Sequence, residues 1–143
     1  MKLKKEKALA GVDVVIAVVA ITIFSTLIIS LISNNVIENV KLKKDSLAMI
    51  YITEIFENIG IESYSNLENG DYEDIGNSDY NTNIENLIPQ EALDIYKVDL
   101  VITDQLEDVE NNENIIKKIV VTLTYNVNNK NYTYSMERMK IKE

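Results

Sequence analysis

Nineteen consecutive residues, 14–32, carry no charge, and only Thr22, Ser25, Thr26 and Ser30 interrupt a run of Val, Ile, Ala, Leu and Phe. As a helix rising about 1.5 Å per residue, this stretch reaches about 28 Å, close to the roughly 30 Å of bilayer hydrocarbon. Each hydroxyl can bond back to a helix carbonyl, so none obstructs passage through lipid. The run therefore reads as a membrane span, with Val14, Ile16, Phe24 and Ile32 among its lipid-facing residues. A buried helix of a soluble protein is rarely apolar all round for so long. A cleavable secretory signal has an apolar core of about 7–15 residues and a small-x-small exit site, and Ile29-Ser30-Leu31-Ile32-Ser33 offers no such pair. Ahead of the run stand Lys2, Lys4, Lys5 and Lys7 against Glu6, a net +3. That basic leader predicts a cytoplasmic amino terminus with the rest of the chain outside.

Composition narrows what the rest can do. The chain has 143 residues, with no His and no Cys. That removes His general bases, thiol nucleophiles, His/Cys zinc sites and disulfides. The net charge of −9 argues against a nucleic-acid partner, which needs a basic face. The many carboxylates sit in loops with no paired spacing tied to an apolar pocket, so neither catalytic residues nor a cofactor are expected. The span 71–79 invites a calcium reading, but Ile75 stands where an EF-hand loop needs an oxygen ligand. No metal site is expected.

Asp13 separates this anchor from a generic one. A carboxylate directly before an uncharged span costs a few kcal/mol unless it stays at the interface or finds a partner. Its bland role is to complement the helix macrodipole near the amino end. Its functional role would be to pair with a new α-amine created by a cut just upstream.

The segment Lys7-Ala8-Leu9-Ala10-Gly11-Val12-Asp13-Val14-Val15-Ile16-Ala17 resembles the processing site of type IV prepilins and type II secretion pseudopilins. Those proteins carry a short basic leader, a small residue before the cut, an apolar first mature residue and an acid at the fifth mature position. Aligning the acid to Asp13 puts the cut between Ala8 and Leu9. A cut after Gly11 is the alternative, and it loses the acid mark. The sequence departs from the family in having Ala8 for the usual Gly, Leu9 for Phe and Asp13 for Glu, and it lacks the helix-kinking proline of major pilins.

The resemblance implies that a prepilin peptidase removes residues 1–8 and that the Leu9 amine is often methylated. Asp13 of one subunit would then neutralise the Leu9 amine of a neighbouring pilin or pseudopilin subunit. The implied product is a surface filament of the pilus or secretion type, with the chain as a major or minor subunit. The competing reading is a single-pass, membrane-anchored extracytoplasmic binding protein that never polymerises.

Beyond the membrane, helical spacing resumes from Val36 through Val40, Ala48, Ile52, Ile55 and Ile59, and Gly60 is a natural stop. From Ala8 to Ile59 such a helix would run roughly 78 Å. Ser33-Asn34-Asn35 is its weak spot, and Ser46, Thr53, Glu54, Glu57 and Asn58 supply a polar side. Lys41, Lys43 and Lys44 read as a solvated basic face. Residues 45–96 hold twelve acids and no Lys or Arg, and 63–86 read as a long irregular loop, with Pro89 turning the chain onward.

Three strands follow. Tyr96, Val98, Leu100 and Ile102 alternate with Lys97, Asp99, Val101 and Thr103, and residues 104–114 read as a long exposed connection. Ile119, Val121, Leu123, Tyr125 and Val127 share the next strand's apolar face. Asn128-Asn129 suits a type I′ turn, which pairs Tyr125 with Tyr132, Leu123 with Tyr134 and Val121 with Met136. Such a sheet needs cover. The expected fold is α+β and pilin-like: a long amino-terminal helix packed on a small three-stranded antiparallel sheet. Ala48, Ile52, Ile55, Phe56 and Ile59 would pack on Leu100, Ile102, Val121, Leu123 and Tyr134. The divisions are a leader at 1–8, a membrane half-helix at 9–33, an amphipathic half at 34–60, an acidic loop region at 61–94 and a β-meander at 95–143.

Overall fold

The computed structural model describes the backbone of residues 2–77, 82–108 and 113–142, and the side chains of 12–77, 83–106 and 115–142. One helix, α1 (Lys2–Ile61), opens the chain. No proline falls within it, and Ser33, Asn34 and Asn35 leave it unbroken. Thr22 donates to the Val18 carbonyl at 2.8 Å and Thr26 to the Ile23 carbonyl at 2.8 Å, the back-bonding that makes hydroxyls tolerable in an apolar helix. Gly60 does not end α1, which closes just beyond it. The chain divides into two compact units, Met1–Val40 and Lys41–Glu143.

Within the second unit the carboxyl-terminal part of α1 packs on an antiparallel sheet of β1 (Gly70–Ile75), β2 (Lys97–Asp108), β3 (Glu113–Val127) and β4 (Lys130–Ile141), in the order β1-β2-β3-β4. The α+β class holds, but the sheet has four strands rather than three. The extra strand, β1, lies inside the stretch 63–86 that reads as an irregular loop. Its sequence GDYEDI brings one buried apolar side chain, Ile75, so it lacks the alternation that marks a strand. Backbone pairing holds it instead: Gly70 faces Ile102, Tyr72 faces Leu100 and Ile75 faces Val98, with a bulge between Tyr72 and Ile75. At the bulge Asp74 takes a positive φ of 54°, and its amide donates to the Asp99 carboxylate at 2.8 Å. Two short helices, α2 (Thr82–Glu85) and α3 (Gln90–Ile95), occupy the rest of the acidic region, and Pro89 is the amino-terminal cap residue of α3.

The connection expected at 104–114 is mostly strand. Asp104 pairs with Lys117, Leu106 with Ile116 and Asp108 with Glu113, through two irregularities, while 109–112 lie outside the described residues. In these arms the ladder satisfies the backbone without help from an apolar alternation. The β3–β4 hairpin follows its sequence reading. Asn128 and Asn129 have φ of 52° and 60°, as a type I′ turn demands, and the Tyr125–Tyr132, Leu123–Tyr134 and Val121–Met136 pairs form.

The core contains Ala48, Ile52, Ile55, Phe56 and Ile59 from α1, and Val98, Leu100, Ile102, Ile119, Val121 and Leu123 from the sheet, all buried. Tyr134 is only half-buried and Met136 is exposed, because β4 is the sheet edge and has no strand beyond it. Leu67, Ile84, Leu87, Ile88 and Ala92 from the acidic region complete the core. Asn58, expected on the polar side, donates to the Leu87 carbonyl at 3.0 Å. The end of α1 is capped from β4. Arg138 donates to the Phe56 carbonyl at 3.3 Å, and the Lys140 ammonium to the carbonyls of Ile59, Gly60 and Glu62 at 2.8, 3.0 and 2.6 Å. A cation on the carbonyls at a helix carboxyl end helps satisfy them and complements the negative end of the helix dipole.

Candidate functional site

The feature most unlike a soluble domain is the amino-terminal unit. From Val12 to Ile32 every large apolar side chain is 52–66% exposed, on all sides of the helix. Val14, Ile16, Phe24 and Ile32 all belong to this uncovered surface. One helix near the amino terminus is thus long and apolar enough to cross a membrane. Surface of this kind far exceeds the apolar patches of soluble proteins and requires lipid or protein around it.

Asp13 sits at the start of this segment, exposed, and Glu38 is the next ionisable residue along the chain. Ala8 and Leu9 lie on α1, but their side chains fall outside the described residues. The sequence reading of Asp13 as the sole acid of the apolar stretch stands on the chain itself; what faces its carboxylate depends on molecules other than this one.

The second unit presents three features the sequence did not reveal. The first is a further apolar face on α1. Leu42, Met49 and Ile50 are 61%, 54% and 59% exposed, on a side expected to be polar. A spacing of seven and eight residues stacks them on one face of the helix. The signal was present in the sequence, but the stronger stripe of Ala48, Ile52, Ile55 and Ile59 masked it.

The second is a row of tyrosines where α1 meets the sheet. Tyr51 meets Tyr96 edge-on at 6.0 Å, Tyr96 meets Tyr125 edge-on at 5.8 Å, and Tyr125 stacks on Tyr132 at 5.6 Å. Two lysines of the basic cluster cover the row rather than forming a merely solvated face. Lys41 lies 5.1 Å from the Tyr132 ring centre and Lys44 5.4 Å from that of Tyr125, while Lys43 is exposed. Tyr96 donates to the Lys44 carbonyl at 2.6 Å, and the Tyr125 hydroxyl donates to the Asp45 carboxylate. Burial raises the pKa of Tyr96 and Tyr125, and the Asp45 carboxylate raises that of Tyr125 further. The row is packing between helix and sheet.

The third is an open groove of about 770 Å³ between the end of α1 and β4, lined by Gly60, Tyr64, Arg138, Lys140 and neighbouring residues. The one carboxylate lining it, Glu62, accepts from Asn66 at 2.6 Å and from the Ser63 amide at 3.0 Å, which lowers its pKa. Two of the groove's cations, Arg138 and Lys140, are turned onto backbone carbonyls at the end of α1. Among the described residues no group of three acidic side chains could hold a metal ion, and in the span 71–79 residues 78 and 79 lie outside them. No family model, curated protein or solved structure matches the chain.

Proposed function

We propose that this chain is a pilin-like structural subunit: processed between Ala8 and Leu9 by a prepilin peptidase, held in the membrane by residues 14–32, and polymerised through α1 into a surface filament. The observation that carries the reading is the pairing of an uncovered apolar helix with a single acid, Asp13, at its entrance. A plain anchor needs the apolar surface, and there the acid does no more than favour the start of the helix. In an assembling subunit the acid meets the amine of a neighbour's Leu9. Two charges in a low-dielectric setting are costly to bury singly and attract strongly when paired, so the pair selects one register between sliding helices.

Two further observations favour assembly over a solitary anchor. Leu42, Met49 and Ile50 extend apolar surface beyond any membrane-spanning length, where water would otherwise meet it. The α+β head, tied to the same helix, has the layout expected of a pilin head, with one strand more than anticipated. In this reading the basic leader keeps the amino terminus cytoplasmic, with the head outside, as the positive-inside tendency favours.

The alternative, an anchored binding protein that never polymerises, is separated by an Asp13→Ala variant made in the native cell. The variant should insert in the membrane at normal levels and yield no filaments in the sheared surface fraction. Filaments at the unaltered level would remove Asp13 from assembly.

A further inference from the structure

Apart from the membrane helix, the most unusual chemistry lies on the core side of the sheet where β1 begins. Lys117 on β3 is the one buried charged residue among those described, 7% exposed. Its ammonium donates to the side-chain carbonyl oxygen of Asn69 at 2.9 Å and lies 3.5 Å from the carboxylate of Asp104, its register partner on β2. The Asn69 amide nitrogen in turn donates to the other oxygen of Asp104. The ring of Tyr64 covers the ammonium, 5.1 Å from its centre. A primary amine, a carboxamide and a carboxylate touching both are thus held together from three separate segments of chain.

We propose that Lys117 and Asn69 join in an intramolecular amide cross-link, with Asp104 as the proton carrier. Amines attack unactivated carboxamides very slowly in water, for want of alignment and of proton transfer to the leaving nitrogen. Both are supplied here. An amine bonded to the carbonyl oxygen needs only a small shift to reach the carbonyl carbon at a near-attack distance of about 3–3.5 Å, and such placement replaces an improbable encounter. Asp104 accepts a proton from the Lys117 ammonium, freeing the lone pair that attacks Asn69 Cγ. The Nζ–Cγ bond forms and the carbonyl π pair moves onto oxygen. Asp104 then delivers the proton to the Asn69 amide nitrogen, the Cγ–Nδ2 bond breaks, and ammonia leaves. The second proton lost by Nζ passes through Asp104 to the ammonia. Lysine ammonium plus carboxamide become a secondary amide plus ammonium ion, and Asp104 ends as it began. Asn69 is exposed, which gives the ammonia an exit, while Tyr64 and the burial of Lys117 keep water from the attacking side. The product would bridge residues 48 apart and pin the segment between α1 and β1 to the middle of the sheet.

The test is the denatured intact mass of the full chain purified in detergent, with peptide mapping. The expected mass is lower by one ammonia, about 17 Da, than that calculated from the amino terminus the peptide map finds, with one branched peptide joining Asn69 to Lys117. Asn69 precedes Gly70, and an Asn–Gly pair can lose the same mass by closing on its own backbone. Lys117→Arg separates the two: the cross-link reading requires the full mass in that variant, whereas a persisting loss assigns it to the backbone ring and overturns the proposal. Asn69→Ala, at an exposed position, and Asp104→Asn should also keep the full mass. Unmodified mass in the wild-type chain overturns the proposal outright.

Discussion

Burial and the Asp45 carboxylate together hold the Tyr125 hydroxyl well above the ordinary tyrosine range, and burial raises Tyr64, Tyr72 and Tyr96 as well. A raised folded pKa means that the folded state keeps its protons where the unfolded chain has lost them. The associated stability is complete below the unfolded value of about 10 and is lost as pH rises towards the folded values. Thermal denaturation followed from about pH 7 to about pH 11 should therefore show a flat region and then a fall in melting temperature beginning near pH 10. Tyr125→Phe should cost about 1 kcal/mol at neutral pH through the lost bond to Asp45, and should make the alkaline fall shallower. An unchanged alkaline limb in that variant would place the effect on the other tyrosines. Lys140 gives a second test. Three carbonyls at the end of α1 depend on its ammonium, so Lys140→Met should lower stability by about 1–3 kcal/mol in a urea titration.

Among the elements, the β3–β4 hairpin was the most legible, because two kinds of signal agreed. The Asn128-Asn129 pair named the turn, and the alternation of Val121, Leu123 and Tyr125 with their partners named the register. A β-branched residue resists positive φ, so Asn128→Val should cost about 1–2 kcal/mol, with Asn129→Gly near neutral as the control. The apolar span of α1 was equally plain, since nineteen uncharged residues admit few other readings. What the sequence hid was structure held by backbone pairing alone. GDYEDI contributes one core residue, and the Asp104–Asp108 arm of β2 contributes charges, so neither shows the alternation that betrays a strand. The Val98–Ile102 stretch supplies the ladder for β1, and residues 113–117 of β3 supply it for the β2 arm. Asn69 stands just ahead of β1, Asp104 on β2 and Lys117 on β3; β2–β3 pairing sets Asp104 beside Lys117 and β1–β2 pairing brings Asn69 to them, a meeting with no sequence signature.

In the molecule as a whole, two solvents are written into one chain. From Val12 to Val40 the described apolar side chains are largely uncovered, while the unit from Lys41 buries an apolar core between helix and sheet. In the proposed function, a cut between Ala8 and Leu9, the acid at Asp13 and the exposed Leu42, Met49 and Ile50 serve one purpose, the association of helices freed of the leader. Amino-terminal sequencing and intact-mass analysis of the protein from its own cell membranes test this most directly. The account predicts a chain beginning at Leu9, with or without one methyl group on its amine. A chain that still carries Lys2 to Lys7 would contradict it, leaving a plain membrane anchor with Asp13 as a residue that favours the start of its helix.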